Sequence, residues 1–354
     1  MNKHSKGDLQ QMQSLPLSAK IVMTQQRIRQ WYDYWDGDVY VSFSGGKDST
    51  VLKHVVDNMS GIGKVPAVFV NTGLEYPEIQ QFVKAIKAGE YECFNPDVEM
   101  LRPEMRFDEV VKQYGYPVIS KRVANAVDGA RRNPNGIKMK QMLGVWETNG
   151  KLSMYNYGNH KHLLNADFKI SEKCCTNMKK KPLKKYQKET HRVPMIATMA
   201  DESENRRMNW IKYGCNAFES KNPTSTPISF WTEQDVLHYI KKHNVPYCSV
   251  YGSIQVKAPE GAMPGQTNLI DYLGCYEPED RLETTGCDRT GCIFCMFGCH
   301  LEKAPNRFQK LKETHPRQYK YCIGGGEMVD GKWQPNKDGL GLGHVLDYIG
   351  VKYE

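Results

Sequence analysis

No stretch of the 354 residues approaches the roughly 18 uninterrupted apolar residues that cross a bilayer as a helix, so no membrane span is expected. The opening Met1-Asn2-Lys3-His4-Ser5-Lys6 leads into a polar, Gln-rich stretch and lacks the apolar core of a secretory leader. A cytoplasmic location is the expectation. Charge of one sign does not dominate either: 48 Lys and Arg face 40 Asp and Glu, a net +8 that suits a nucleotide or a nucleic acid equally and selects neither. Cysteine is not scarce. Eleven cysteines in a reducing compartment argue against a disulfide framework and for metal ligation or catalysis. The chain exceeds the usual single-domain size, which predicts a large α/β core with an appended region.

The stretch Val39-Tyr-Val-Ser-Phe-Ser-Gly-Gly-Lys-Asp-Ser-Thr50 organises the rest. Its apolar run predicts a buried strand, Ser44-Gly45-Gly46-Lys47-Asp48 a tight loop, and Ser49 onward a helix with Val51, Leu52, Val55 and Val56 on one face. Two glycines let backbone approach a ligand, and the first helical N–H groups point free donors at it. Such a site binds anions, and Lys47 adds a full positive charge. The Walker spacing Gly-x-x-x-x-Gly-Lys-[Ser/Thr] is absent.

A second strand is predicted at Pro66–Asn71, followed by Thr72-Gly73-Leu74-Glu75-Tyr76-Pro77 and a helix to about Ala88. Two strand-loop-helix units in succession imply a doubly wound, mainly parallel sheet with ligands at its carboxyl edge. A third strand at Val98–Leu101 and a helix from Phe107 to Tyr114 follow. Pro117–Arg122 opens another helix capped by Ser120, with Lys121 and Arg122 as basic groups for the nucleotide edge. Residues 134–165 read as an insertion containing a short hairpin. A strand over Val193–Met199 precedes a helix whose first turn is acidic. The expected division is a helical lead-in over 1–35, a nucleotide-binding domain over 36–225 and a Cys-rich C-terminal region over 226–354.

The adjacent Cys174 and Cys175 have Cα atoms about 3.8 Å apart, too close for a relaxed disulfide with each other. Lysines follow them at once and favour thiolates. Cys287, Cys292, Cys295 and Cys299 lie within thirteen residues, and Cys292 and Cys295 are spaced to reach one metal centre. Cys93, Cys215, Cys248 and Cys275 lack such spacing and read as core thiols. His160 and His162 read as surface residues.

Ser44-Gly45-Gly46-Lys47-Asp48-Ser49, Asn71-Thr72-Gly73, Cys174-Cys175 before a basic Pro-Leu segment, and Gly291-Cys292-Ile293-Phe294-Cys295 together resemble the PAPS reductase family of adenine nucleotide alpha-hydrolase-like, pyrophosphate-loop enzymes. The resemblance covers roughly residues 35 to 300. It implies a nucleotide site at Ser44, Gly45, Gly46, Lys47, Asp48, Ser49, Asn71, Thr72 and Gly73, with Arg206 of Glu202-Ser-Glu-Asn-Arg206 alongside. As in assimilatory adenylyl sulfate reductases, it implies a [4Fe-4S] cluster held by Cys174, Cys175, Cys292 and Cys295. Three features depart from the reductases. The last residues, Asp347–Glu354, contain no cysteine, although Cys322 could substitute. Ala197-Thr198-Met199 stands where a Gly-x-Arg commonly precedes the Glu-Ser-x-x-Arg motif. The loop is closer to ATP-using members such as the ATP sulfurylase small subunit and DndC-type DNA phosphorothioation proteins.

The resemblance therefore implies ATP-dependent sulfur transfer, with Lys47 and Asp48 catalytic, the latter positioning Mg2+. The alternatives are a reductase releasing sulfite from an adenylyl sulfate and a zinc-stabilised nucleic-acid-binding module built on Cys287, Cys292, Cys295 and Cys299. The sulfur acceptor stays open among a small molecule, tRNA and DNA, and the sulfur or electron donor is not named by the sequence. A homodimer is expected for a chain of this size.

Overall fold

The structure is a computed structural model, described here for residues 3–257 and 280–354. Cys275, expected as a core thiol, lies outside these residues. The fold is α/β with a mostly parallel central sheet. The chain forms two compact units. One comprises Met1–Asn71, Glu75–Leu101 and Lys184–Thr290, and the other Thr72–Leu74, Arg102–Leu183 and Gly291–Glu354. The expected boundaries were contiguous along the chain, whereas these units interleave, because packing groups segments that sequence order separates.

The first unit carries the sheet. Strands β1 (Val39–Ser42), β2 (Ala67–Val70) and β3 (Val98–Leu101) pair in parallel, and β1 pairs on its other side with Val193–Ile196. Thr224–Ser225 and the antiparallel Asn216–Ala217 complete the six-stranded order. Strand order reverses at β1, so its carboxyl end opens onto the crevice where such sheets bind ligands. Val39, Tyr40 and Val41 are all buried, as a continuous apolar run requires of a parallel strand covered on both faces.

Helix α1 spans Lys6–Gln13, and α2 spans Leu17–Tyr34, burying Ile28 and Trp31. Helix α3 (Lys47–Asp57) follows the loop, and α4 (Pro77–Lys87) begins with proline at its first position, where the missing N–H costs nothing. No helix among the described residues is long and apolar enough to cross a membrane.

His54 of α3 is 8% exposed, and its Nδ1 lies 2.9 Å from the Tyr239 hydroxyl. Burial, with His243 nearby, pushes its pKa down to about 4. Unfolded histidine titrates near 6.5, so His54 contributes fully above that value and loses its contribution as pH falls toward 4. Unfolding free energy is expected to drop by about 1 to 2 kcal/mol between pH 7 and pH 5. Denaturant titrations of the parent and of His54→Gln check this: the variant's slope against pH should be visibly shallower.

The second unit contains the helix Phe107–Tyr114, the capped helix Lys121–Arg132, and the helix Ile137–Leu143. A hairpin pairs Glu147–Thr148 with Lys151–Leu152, inside the expected insertion. Arg131 holds this region by donating to the carbonyls of Leu163, Leu164, Ala166 and Phe168. Val118–Ile119, expected as a helix opening, instead pairs in parallel with Met296–Phe297.

Candidate functional sites in the two units

In the first unit the chain turns from β1 into α3 through Ser44, Gly45 and Gly46. Gly45 has φ +72, and a Cβ there would stand 2.8 Å from Ile79 Cγ2 and 3.0 Å from Val83 Cγ2 of α4. Only glycine combines that conformation with so close a helix. Ser49 Oγ donates to the Gly46 carbonyl at 2.9 Å and lies 3.0 Å from Ser44 Oγ, and Thr50 Oγ1 donates to the same carbonyl. The hydroxyls of the motif thus hold the loop's shape.

Lys47 sits at the start of α3 with its side chain 4% exposed. Its Nζ donates to the Asp288 carbonyl at 2.8 Å and pairs with Glu233 at 3.0 Å, with Asp48 Oδ1 at 3.9 Å. Its backbone N–H donates to the Tyr251 hydroxyl, which lies 2.7 Å from Thr290 Oγ1. Burial raises the pKa of Asp48, opposed mainly by Lys47 and then Arg289. Asp48 Oδ1 is buried without a hydrogen bond, a carboxylate oxygen suited to a hard cation such as Mg2+. Arg206 pairs with Glu202; burial lowers its pKa, Arg289 lowers it further, and Asp48 acts against both. Arg206 therefore belongs to the same charge group as the loop. The sequence did not single out Tyr251, Asp288, Arg289 or Thr290 here. Tyr251 is 204 positions from Lys47, and no local signal marks it.

Asn71 stays in this unit, its N–H donating to the Leu101 carbonyl. Thr72 and Gly73 belong to the second unit, where Thr72 Oγ1 accepts from the Leu74 N–H. Lys121 and Arg122 are in the second unit too.

All four cysteines expected as cluster ligands fall in the second unit. Cys174 and Cys175 sit in one helical turn with sulfurs 4.0 Å apart. The pair holds its charge unequally. A hydrogen bond from Cys174, then Lys121 and Lys179, pulls Cys175 toward thiolate against burial. The same hydrogen bond and burial hold Cys174 protonated, and Cys295 and Cys292 add to its raised pKa. Cys295 is raised by burial and responds to both Cys175 and Lys121.

The register explains this grouping. Met296–Phe297 pairs with Val118–Ile119, and the Gly298 N–H donates to the Ile119 carbonyl, so Cys295 is fixed one residue before a strand whose partner leads directly into Lys121. Ile119 takes φ +62, an uncommon conformation for a β-branched residue, at the turn into the Lys121 helix. Arg307 anchors the other side by donating to the Cys295 carbonyl at 2.9 Å. Cys292 closes a turn in which its carbonyl accepts from the Cys295 N–H.

Among the described residues no group of three or more His, Cys, Asp or Glu converges on a single ion position. An iron–sulfur cluster spreads its four thiolate ligands around a larger body, and the donor set of four cysteines with cations beside them fits that chemistry. Cys299 fits poorly as a ligand: its buried thiol donates to the Met296 carbonyl and burial pushes its pKa up to about 11. Cys287 belongs to the first unit, whereas Cys292, Cys295 and Cys299 belong to the second. Cys322 is fully buried, and burial pushes its thiol pKa up, which disfavours the thiolate a nucleophile needs. Cys215 and Cys248 are buried as expected of core thiols, and Cys93 is half-buried.

Among solved structures, phosphoadenylyl-sulfate (PAPS) reductase from Candida auris, in a phosphate complex, aligns at 15% identity over 70% of this chain and 94% of its own, with a TM-score of 0.37. No curated protein matches. The family described as the phosphoadenosine phosphosulfate reductase domain matches residues 38–132 and 136–296. These segments make up well over half of the chain, which therefore belongs to the phosphoadenosine phosphosulfate reductase domain family.

Proposed function

We propose that the chain is an ATP-dependent sulfur-transfer enzyme that adenylylates its acceptor. The carrying observation is the loop at the end of β1, where Lys47 is buried at a helix N-terminus beside a buried carboxylate oxygen of Asp48 that accepts no hydrogen bond. An anion whose charge grows during reaction gains most from a cation fixed in a water-poor site. In this reading the loop binds the ATP phosphates and Asp48 positions Mg2+. An acceptor oxygen attacks the α-phosphorus, the bond to the β-phosphate oxygen breaks, and pyrophosphate leaves toward Lys47. A sulfide equivalent then forms the bond from sulfur to the acceptor and displaces AMP.

Cys174, Cys175, Cys292 and Cys295 would hold a [4Fe-4S] cluster, which when bound supplies electron transfer or sulfur handling. Lys121 and Lys179 stand where they offset negative charge on Cys175.

Membership of the family favours sulfonucleotide reduction as the second reading. That chemistry needs an accessible thiol nucleophile, and the burial of Cys322 weighs against the candidate nearest the C-terminus. Anaerobic protein incubated with ATP, and separately with adenylyl sulfates plus thioredoxin, separates the two: pyrophosphate and AMP support transfer, and sulfite without pyrophosphate supports reduction. Lys47→Ala is expected to lower pyrophosphate release at least about tenfold, since a charge-assisted hydrogen bond is worth roughly 1.5 to 3 kcal/mol. Unchanged turnover would remove Lys47 from the mechanism.

A further inference from the structure

Residues 121–162 of the second unit carry eight Lys and Arg against two acids, Asp128 and Glu147; Arg131 is spent on backbone carbonyls and Arg132 on Asp128, which leaves five lysines and Arg122 as the basic set. Interleaved with them is an apolar set that the fold leaves in solvent: Leu143 is 52% exposed, Val145 59%, Leu152 67%, Met154 85% and Tyr155 40%. These residues stand on one built element. Asn156 ties the base of the hairpin by accepting from the Trp146 N–H and donating to the Trp146 carbonyl, and the Tyr157 N–H donates to the Gln141 carbonyl. Arg122 stacks over the Tyr155 ring at 5.4 Å. Lys121, the neighbour of Arg122, faces Cys175.

We propose that this surface binds a single-stranded nucleic acid, with phosphates on the lysines and bases stacked on Tyr155 and its apolar neighbours. Aromatic rings among cations are the arrangement that grips unpaired bases, because every base has a face to stack and every nucleotide a phosphate to neutralise. The charge excludes a second copy of the chain as the natural occupant, since a two-fold interface here would set basic residues against their own counterparts. A membrane surface is disfavoured by shape: interfacial anchoring uses a helix with a broad apolar face, whereas these side chains project from a short hairpin and its flanks. Because Lys121 links the surface to Cys175, a bound strand would run toward the cysteine group of the same unit.

Binding alone is at stake and the assay contains no ATP, so its outcome is separate from that of the Lys47→Ala experiment. Fluorescence anisotropy of the full chain with a labelled single-stranded RNA of about twenty nucleotides gives the affinity and its salt dependence. Tyr155→Ala is expected to weaken binding at least fivefold, from a stacking contribution of about 1 kcal/mol or more. Lys140→Gln with Lys151→Gln is expected to flatten the log–log salt slope by about 1.4, at about 0.7 for each phosphate no longer neutralised. All three side chains are on exposed residues, so circular dichroism should show the fold intact. Wild-type affinity in both variants would overturn the proposal. So would equal affinity for a duplex of the same sequence, binding only to phosphatidylserine vesicles, or concentration-dependent dimerisation through this face without RNA binding.

Discussion

Lys53→Ala is expected to cost the first unit about 3 to 5 kcal/mol of stability, because it leaves a buried charge without its partner. Lys53 is fully buried in α3, with Nζ 2.8 Å from Asp57 Oδ2 one turn on and 2.8 Å from the Asn95 carbonyl. Asp57 is 3% exposed in its side chain and also accepts the Asn95 N–H at 2.9 Å. The pair therefore fastens α3 to the segment that leads into β3. Burial already raises the Asp57 pKa, with Lys53 the main opposing influence. Without the lysine the carboxyl rises further.

The sign follows. A carboxyl raised on folding contributes stability below its unfolded pKa and loses it as pH climbs through the folded value, so the variant should recover part of its loss at pH 4 relative to pH 7. Denaturant midpoints at the two pH values measure both effects. Lys53→Met with Asp57→Leu, which replaces the pair by apolar groups, should cost far less than Lys53→Ala. A loss below about 1 kcal/mol in Lys53→Ala would show that water reaches Asp57 and that the pair is not sealed.

Much of the first unit was legible because each of its elements is announced locally. Val39–Phe43 and Ala67–Val70 are short, mainly apolar runs closed by turn residues, Val98–Leu101 is apolar but for Glu99, and the strands fall on them. Ser120 was readable as a cap, and its side chain accepts from the Val123 N–H. The parallel pair of Val118–Ile119 with Met296–Phe297 was not readable, since two apolar residues carry no period and the partner is remote in sequence. The same remoteness hid the grouping of 72–74 and 291–354 with the middle of the chain. At the candidate sites, glycine geometry and cysteine density were the signals that drew attention to the positions. The residues that surround Lys47, namely Tyr251, Asp288, Glu233 and Thr290, are ordinary in their local context and become significant only through folding. Lys121 was read as a group for the nucleotide edge, and the contact the structure gives it is with Cys175.

Cys175→Ala and Cys292→Ala are each expected to strip most of the iron from protein purified without oxygen, whereas Cys299→Ala and Cys322→Ala should leave it in place. The parent is expected to be brown, with iron and acid-labile sulfide approaching about four of each per chain, as a four-cysteine [4Fe-4S] site requires. The contrast between the variants comes from where each sulfur points its chemistry. Cys175 is drawn toward thiolate by Cys174, Lys121 and Lys179, while Cys299 spends its proton on the Met296 carbonyl and Cys322 is sealed in apolar packing. Removing one ligand from a cubane exposes an iron and labilises the whole group, so the loss should be near complete rather than one quarter. Metal analysis and the absorbance of the anaerobic protein decide the matter. Colourless protein with one zinc per chain, lost in Cys299→Ala, would instead assign the C-terminal cysteines to a mononuclear structural site, and Cys174 and Cys175 would then need another role.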